Sequence, residues 1–375
     1  MTNQIEPEPI QIKKTNKWLL AFLIFLVLCA VTCLILLIIR QRNSGVIQAQ
    51  QLALQGRCPE AIQILNEVIA ENPKSVIAYQ IRVECYLSFQ SNVYTESQGY
   101  LIAALEDTNI ILGLKPQDAS YYGKRDFILR ELAPYEIYSA NKYAIFDLAN
   151  QDAKSAIELG APSSAYVYRH YARNLIEANH CQEGLEETQK LIQQYGTQTS
   201  EYGQYYSLYL TEAYICLGEL DLALESAQAI TCDDPVSTCK SGLLAEIYLQ
   251  SGDYENALNT VNYMINWQPA GGGWRYFIRA LIYYEQGQID LAQQDLATGD
   301  AYSWYGTGVD EYVLAQLAFD NGDKVNGIYH LQTAEQMFDT NYSVLRQETL
   351  KQLKKYGAEP IPQKINLPFS TPSLP

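Results

Sequence analysis

Apolar positions fall into two patterns along this chain. Residues 18–39 form a run of 22 without a charged side chain, closed by Lys17 on one side and Arg40 on the other. From residue 43 to about 341 the apolar positions instead recur three and four apart, with charged and amide side chains between them, as on helices that bury one face. The clearest stretch is 245–269: Ala245, Tyr248 and Leu249 share a face, Gly252-Asp253 breaks the chain, Tyr254, Ala257 and Val261 open a second face, and Pro269 ends the unit. The same glycine recurs at 218, 252, 287 and 322, at intervals of 34, 35 and 35 residues. A glycine followed 17 residues later by proline occurs as Gly56/Pro73, Gly99/Pro116, Gly218/Pro235 and Gly252/Pro269. One period therefore governs most of the chain, and such periods build arrays whose units bury their core against neighbours.

The run at 18–39 matches the roughly 20 residues that cross about 30 Å of hydrocarbon as a helix, so a transmembrane helix is expected there. A cleaved signal peptide would have an apolar region of about 7–15 residues ending at small side chains, whereas this run stops at Arg40-Gln41-Arg42. Neither Cys29 nor Cys33 follows the small residue that a lipoprotein cleavage site needs. An uncleaved anchor is expected, with residues 1–17 as a short cytoplasmic tail. Lys13, Lys14 and Lys17 outnumber Arg40 and Arg42 by one charge, which favours the N-terminus inside.

The helix pairs resemble tetratricopeptide (TPR) repeats, which place small residues where paired helices cross, an aromatic in the first helix and proline after the second. The residues that carry the likeness are Leu52, Gly56, Ala61 and Pro73 in the first unit, Tyr214, Gly218, Ala223 and Pro235 in the fifth, and Ala280, Tyr283, Gly287 and Ala292 in the seventh. About eight units fit into 43–341, the second with an insertion near residues 91–94 and the third, over 119–162, divergent with a longer first helix. A capping helix at 342–356 and a proline-rich disordered tail at 357–375 complete the expectation. The predicted fold is all-α, a TPR-like α-α superhelical solenoid behind one N-terminal transmembrane helix. The resemblance is to single-pass, membrane-anchored TPR proteins of bacteria, and it implies a non-enzymatic scaffold that binds a protein or peptide.

Placed on those repeats, the six cysteines beyond the membrane run form three neighbouring pairs, Cys58 with Cys85, Cys181 with Cys216, and Cys232 with Cys239. In an antiparallel stack the start of one helix lies beside the end of the next, which brings each pair within disulfide reach. Disulfides persist outside the cytoplasm. Extracytoplasmic repeats on a cytoplasmic-membrane anchor are thus expected, while buried thiols in a cytoplasm-facing adaptor stay open as an alternative.

Charge removes some function classes. Residues 1–42 carry five basic and two acidic side chains, which leaves 21 basic and 40 acidic residues in the remainder, a net of −19. Phosphate backbones need clustered Lys and Arg, so nucleic acid is not an expected partner. His170, His180 and His330 lie in different units, and His180-Cys181 alone lacks zinc-like spacing, so no metal site and no cofactor are expected. Gly271-Gly272-Gly273-Trp274 has neither the lysine nor the strand of a phosphate loop and reads as a connector. No convergent set of titratable side chains marks an active site or a small-molecule substrate, although an envelope enzyme framed by the solenoid remains a third reading. The TPR resemblance further implies a concave groove lined by the second, fifth, ninth and twelfth residues of each first helix. Those positions give Tyr166, Arg169 and Arg173, then Tyr205 and Glu212, Glu246 and Leu249, Trp274, Phe277, Leu281 and Tyr284, and lastly Tyr312 and Phe319. Aromatics with an arginine pair at one end suit an extended peptide or a partner helix.

Overall fold

Six of the helix pairs among the described residues, those turning at Gly56, Asn179, Gly218, Gly252, Gly287 and Gly322, share one backbone device. At Gly252 the chain takes φ +76°, and the Asp253 N–H then reaches back to the Tyr248 carbonyl at 2.9 Å, closing the end of the first helix. A side chain with a Cβ costs about 1–2 kcal/mol in that conformation, which explains the glycine period. The fourth pair makes the same turn at Asn179, φ +67°, with the His180 N–H on the Leu175 carbonyl at 2.8 Å. Asparagine tolerates this region, so the turn is kept where the glycine period skips. Asp253 and Asp323 then cap the following helices by accepting the N–H groups of Asn256 and Asn326 at 3.2 and 3.1 Å.

The computed structural model describes residues 17–89, 94–161, 166–195, 203–230, 238–269, 272–303 and 306–369; side chains at 17–20, 23, 33–43, 94, 95, 166, 195, 203, 204, 238 and 239 fall outside that description. Among the described residues there are seventeen α-helices, two 3₁₀ turns and no strand. The chain divides into two compact units at Ser88 and Phe89. The first holds α1 (Lys17–Leu54), α2 (Cys58–Glu71) and α3 (Val76–Ser88). The second holds α4 (Tyr94–Leu114), α5 (Ala119–Leu132), α6 (Ser139–Glu158), α7 (Tyr166–Glu177), α8 (Cys181–Tyr195), α9 (Gly203–Leu217) and α10 (Leu220–Gln228). It continues through α11 (Thr238–Gln250), α12 (Tyr254–Trp267), α13 (Trp274–Glu285), α14 (Ile289–Tyr302), α15 (Val309–Asp320), α16 (Lys324–Met337) and α17 (Ser343–Lys355).

Within the second unit each helix from α4 to α13 packs on the next, as do α15 on α16 and α16 on α17, and the odd helices from α5 to α15 also pack on one another, giving an inner layer of first helices and an outer layer of second helices. Small residues sit where the layers cross: a Cβ on Gly327 would lie 2.4 Å from the Phe319 ring, and one on Gly184 2.4 Å from Ile176. Of the expected pairs, α1/α2 and the six from α5/α6 to α15/α16 are present; α3 and α4 fall on either side of the division between units. The divergent third pair differs from expectation, because its extra length lies in α6, with 20 residues, and in the 3₁₀ turn Ala133–Tyr135, whereas α5 has 14.

A polar clasp recurs across successive pairs. A tyrosine early in a first helix donates to the carbonyl of the preceding proline: Tyr79 to Pro73 at 3.3 Å, Tyr122 to Pro116 at 3.3 Å and Tyr276 to Pro269 at 3.0 Å. An arginine three residues later donates to an asparagine seven residues before that proline, Arg82 to Asn66, Arg125 to Asn109 and Arg279 to Asn262, at 2.6–2.8 Å. Arg125 and Arg279 also form two-pronged ion pairs with Asp152 and Asp295. The Arg125–Asp152 pair is 3% and 1% exposed. Burial pushes the Asp152 carboxyl up, against the opposing pull of Arg125.

The two ends depart from the sequence reading. Residues 18–39 lie in α1, which continues unbroken into the first repeat helix. Among the described residues no helix is long and apolar enough to cross a membrane, and many side chains of the expected span lie outside them. Of those that are described, the large apolar ones, Phe22, Ile24, Phe25, Leu26, Val27, Leu28 and Val31, are 47–61% exposed, and Cys29 is half-buried. At the other end, where a disordered tail over 357–375 is expected, residues 357–369 form no helix and are hydrogen-bonded to α6 and α16; 370–375 lie outside the described residues.

Candidate docking surface

The expected groove splits into a part that stays accessible and a part that the chain covers itself. On α7, Arg169 and Arg173 are one helical turn apart; on α9, so are Tyr205 and Tyr209. The Arg169 guanidinium lies over the Tyr205 ring, 4.6 Å from its centroid, and Arg173 lies over Tyr209 at 5.8 Å. Arg173 also pairs with Glu212 at 3.2 Å and Glu177 at 3.3 Å. Tyr205 is 38% exposed, so one edge of this arginine–tyrosine ladder faces outward. Tyr166 precedes it on α7, with its side chain outside the described residues.

Burial sets the electrostatics behind the ladder. His170 is pushed down to about 2, first by burial and then by Arg130, Arg169 and Arg173, and is therefore neutral. Glu212 is pushed up to about 7 by burial, against the pull of Arg173. Asp126 is likewise pushed up to about 7 by burial, while its carboxylate accepts a 2.6 Å bond from Asn174. These shifts come from packing helices over polar groups.

The rest of the expected groove is occupied. Phe277 is fully buried against Gly299 at a helix crossing, and Leu249 and Leu281 are 3% and 2% exposed. Tyr312 is 5% exposed and accepts from Gln352 of α17 at 2.9 Å; Phe319 stacks on Tyr356 with centroids 4.1 Å apart. Tyr284 donates to Asp320 at 2.9 Å, and Trp274 is half-buried under Arg275. The 3₁₀ turn Thr340–Tyr342 sits on α9 and α11, where Tyr342 donates to Glu246 at 3.4 Å and Gln250 to the Asn341 carbonyl at 2.7 Å. Burial drives the Glu246 carboxyl well above its ordinary range. Of the predicted groove residues, the structure thus brings Arg169, Arg173 and Tyr205 together with Glu212, and puts Leu249, Phe277, Leu281 and Tyr312 in the core.

Cys58 and Cys85, in the first unit, stand at disulfide distance with Cα atoms 5.2 Å apart; Cys181 and Cys216, in the second, do so at 5.8 Å. Cys232 and Cys239 lie outside the described side chains. His180 meets Asp147 at 2.8 Å and His330 meets Glu311 at 2.7 Å. Among the described residues no three His, Cys, Asp or Glu side chains cluster as a metal site would require. Sequence reasoning missed Asn141, Gln332 and Gln336, which hold the C-terminal stretch; the pairing of Gln363 and Asn366 within a proline frame was the available signal.

No protein-family model matches the chain, and no curated protein matches it. Among solved structures, similar ones include a tetratricopeptide repeat protein from Parabacteroides merdae, 18% identical, covering 73% of this chain and 97% of that one with a TM-score of 0.48. Human IFIT1 with m7Gppp-AAAA is 15% identical over 84% of this chain and 81% of its own, with a TM-score of 0.47. YrrB, a TPR protein described as having an unusual peptide-binding site, is 16% identical over 60% of this chain and 97% of its own, with a TM-score of 0.36. The all-α, TPR-like architecture itself rests on this chain's helix pairs and their period.

Proposed function

We propose that the chain is a single-pass, membrane-anchored, non-enzymatic scaffold of the bacterial cell envelope, with its N-terminus in the cytoplasm and its repeats outside, that docks a peptide or partner protein. The observation that carries the docking reading is the Arg169/Arg173 ladder over Tyr205 and Tyr209. Arginine held on aromatic faces with an exposed tyrosine edge is a ready-made anchor for an interface. The anchor reading is supported by the uncharged run at 18–39 and by apolar side chains exposed on one side after another of α1, where water offers no partner. Two cysteine pairs at disulfide distance support the orientation. Protease shaving of intact cells tests it: loss of the repeat domain from the outside is expected, and full protection would place the repeats in the cytoplasm. For docking, Arg169→Ala with Tyr205→Ala is expected to lower capture of a partner identified by crosslinking at least ten-fold; unchanged capture would remove this surface.

A further inference from the structure

Residues 359–369 lie extended across α6 and α16 and are held mainly through their backbone. Gln332 Nε2 donates to the Glu359 carbonyl at 2.6 Å, and Gln336 Nε2 to the Ile361 carbonyl at 3.2 Å. Asn141, in the first turn of α6, reads both backbone groups of Asn366: its Oδ1 accepts the N–H at 3.0 Å and its Nδ2 donates to the C=O at 3.2 Å. The residue before α6, Tyr138, supplies no side-chain cap, and Gln363 fills that role by accepting the Ala140 N–H at 2.9 Å. Phe369, 9% exposed, anchors the end. Amide side chains that pair with a backbone are indifferent to whose backbone it is, and the prolines at 360, 362 and 368 keep the ligand extended.

The fit is incomplete. Side chains of Ile361, Pro362, Lys364, Ile365 and Asn366 are exposed, so little apolar surface secures the segment. Between it and Tyr143, Glu335 and Arg346 a cavity of about 280 Å3 is left unfilled. We propose that this face is a docking site for an extended segment of a partner protein, one that offers a glutamine to cap α6, a backbone edge to Asn141 three residues later and a larger apolar side chain for the cavity, and that the chain's own tail fills it until displaced. This rests on reading the chain as a docking scaffold. A second copy is the less suitable donor: the Ala358 N–H closes the end of α17 on Leu353 at 2.9 Å, one residue before the first anchored carbonyl, so a copy lends its tail only by unwinding that helix end.

A tail tethered in place competes at an effective concentration near the millimolar range, so a peptide in trans should bind weakly until the tail is released. The test uses the full chain in detergent and a fluorescent peptide of residues 359–369. Gln363→Ala with Asn366→Pro removes the cap and the N–H that Asn141 reads. This release variant is expected to bind the peptide at least ten-fold more tightly than the native chain, and adding Asn141→Ala should abolish the gain. Equal affinity for native and released chains, or a gain that survives Asn141→Ala, would overturn the proposal. Should the release variant lose its helical signal, hydrogen exchange on the native chain decides: saturating peptide must speed exchange of the Asn366 amide, and unchanged exchange refutes displacement. A concentration-dependent dimer of the native chain, lost in Asn141→Ala, would assign the site to a second copy instead. Failure here with crosslinking from position 205 intact would remove this site and leave the docking reading standing.

Discussion

Replacing Asp152 by alanine should unfold the second unit far more readily than replacing the whole ion pair. Arg125 gives Asp152 two bonds of 2.7 Å from Nε and Nη2, and Nη1 reaches Asn109 at 2.8 Å. With both side chains almost fully buried, Asp152→Ala leaves a guanidinium out of water with one neutral acceptor, a loss of about 3–5 kcal/mol. That is a large share of the roughly 5–15 kcal/mol that holds a domain folded. Burial already outweighs Arg125 in setting the Asp152 carboxyl, so the pairing does not fully recover the cost of desolvating it. Arg125→Met with Asp152→Leu removes both charges and should stay within about 1 kcal/mol of the native chain or exceed it. Urea unfolding of the full chain in detergent, followed by circular dichroism, measures both variants. A single substitution that costs under about 1 kcal/mol, or a double one as damaging as the single, would refute the reasoning.

Asp126, raised by burial to about 7 from an ordinary 3.8, binds its proton more tightly in the folded state, so its contribution to stability is lost as pH rises from about 4 to 7. Asp126→Asn should therefore stabilise the chain at pH 8 by up to about 4 kcal/mol, and give no gain at pH 4, in melts at the two pH values. A larger gain at pH 4 would contradict the burial account. Gly252→Ala meets no atom within 4 Å, so its cost is backbone alone, about 1–2 kcal/mol by urea titration. Gly327→Ala adds a collision with Phe319 and should cost more than Gly252→Ala. Thiol mapping of protein from its native membrane should find Cys58, Cys85, Cys181 and Cys216 blocked to alkylation until reduced; free alkylation of all four would support the cytoplasm-facing adaptor.

Local pattern carried the helix pairs. The glycine period and the alanines at crossings such as Ala257 and Ala292 are short-range requirements written once per unit. Asn179 escaped because the same backbone turn accepts a second residue type. The arginine clasps escaped because Arg125 and Asp152 lie 27 residues apart on the two helices of one pair, outside the three- and four-residue spacing of a helix face, though each Asn-Pro-Tyr-Arg set repeats. Groove positions were legible as helix faces, but what covers them was not. Tyr342 meets Glu246 from 96 residues away and Asn366 meets Asn141 from 225, and neither contact leaves a trace in local periodicity. Phe277 reads as a groove residue by register and is core because Gly299 opens space for its ring.

The central claim is that the Arg169/Tyr205 edge holds another protein. A photo-crosslinking amino acid placed at position 205 of the full chain, activated in the native membrane, tests it most directly, with the exposed outer-layer position 291 as control. The account predicts a discrete adduct from position 205 that is absent from 291 and weakened by Arg169→Ala. No adduct from 205, or the same products from both positions, would contradict it.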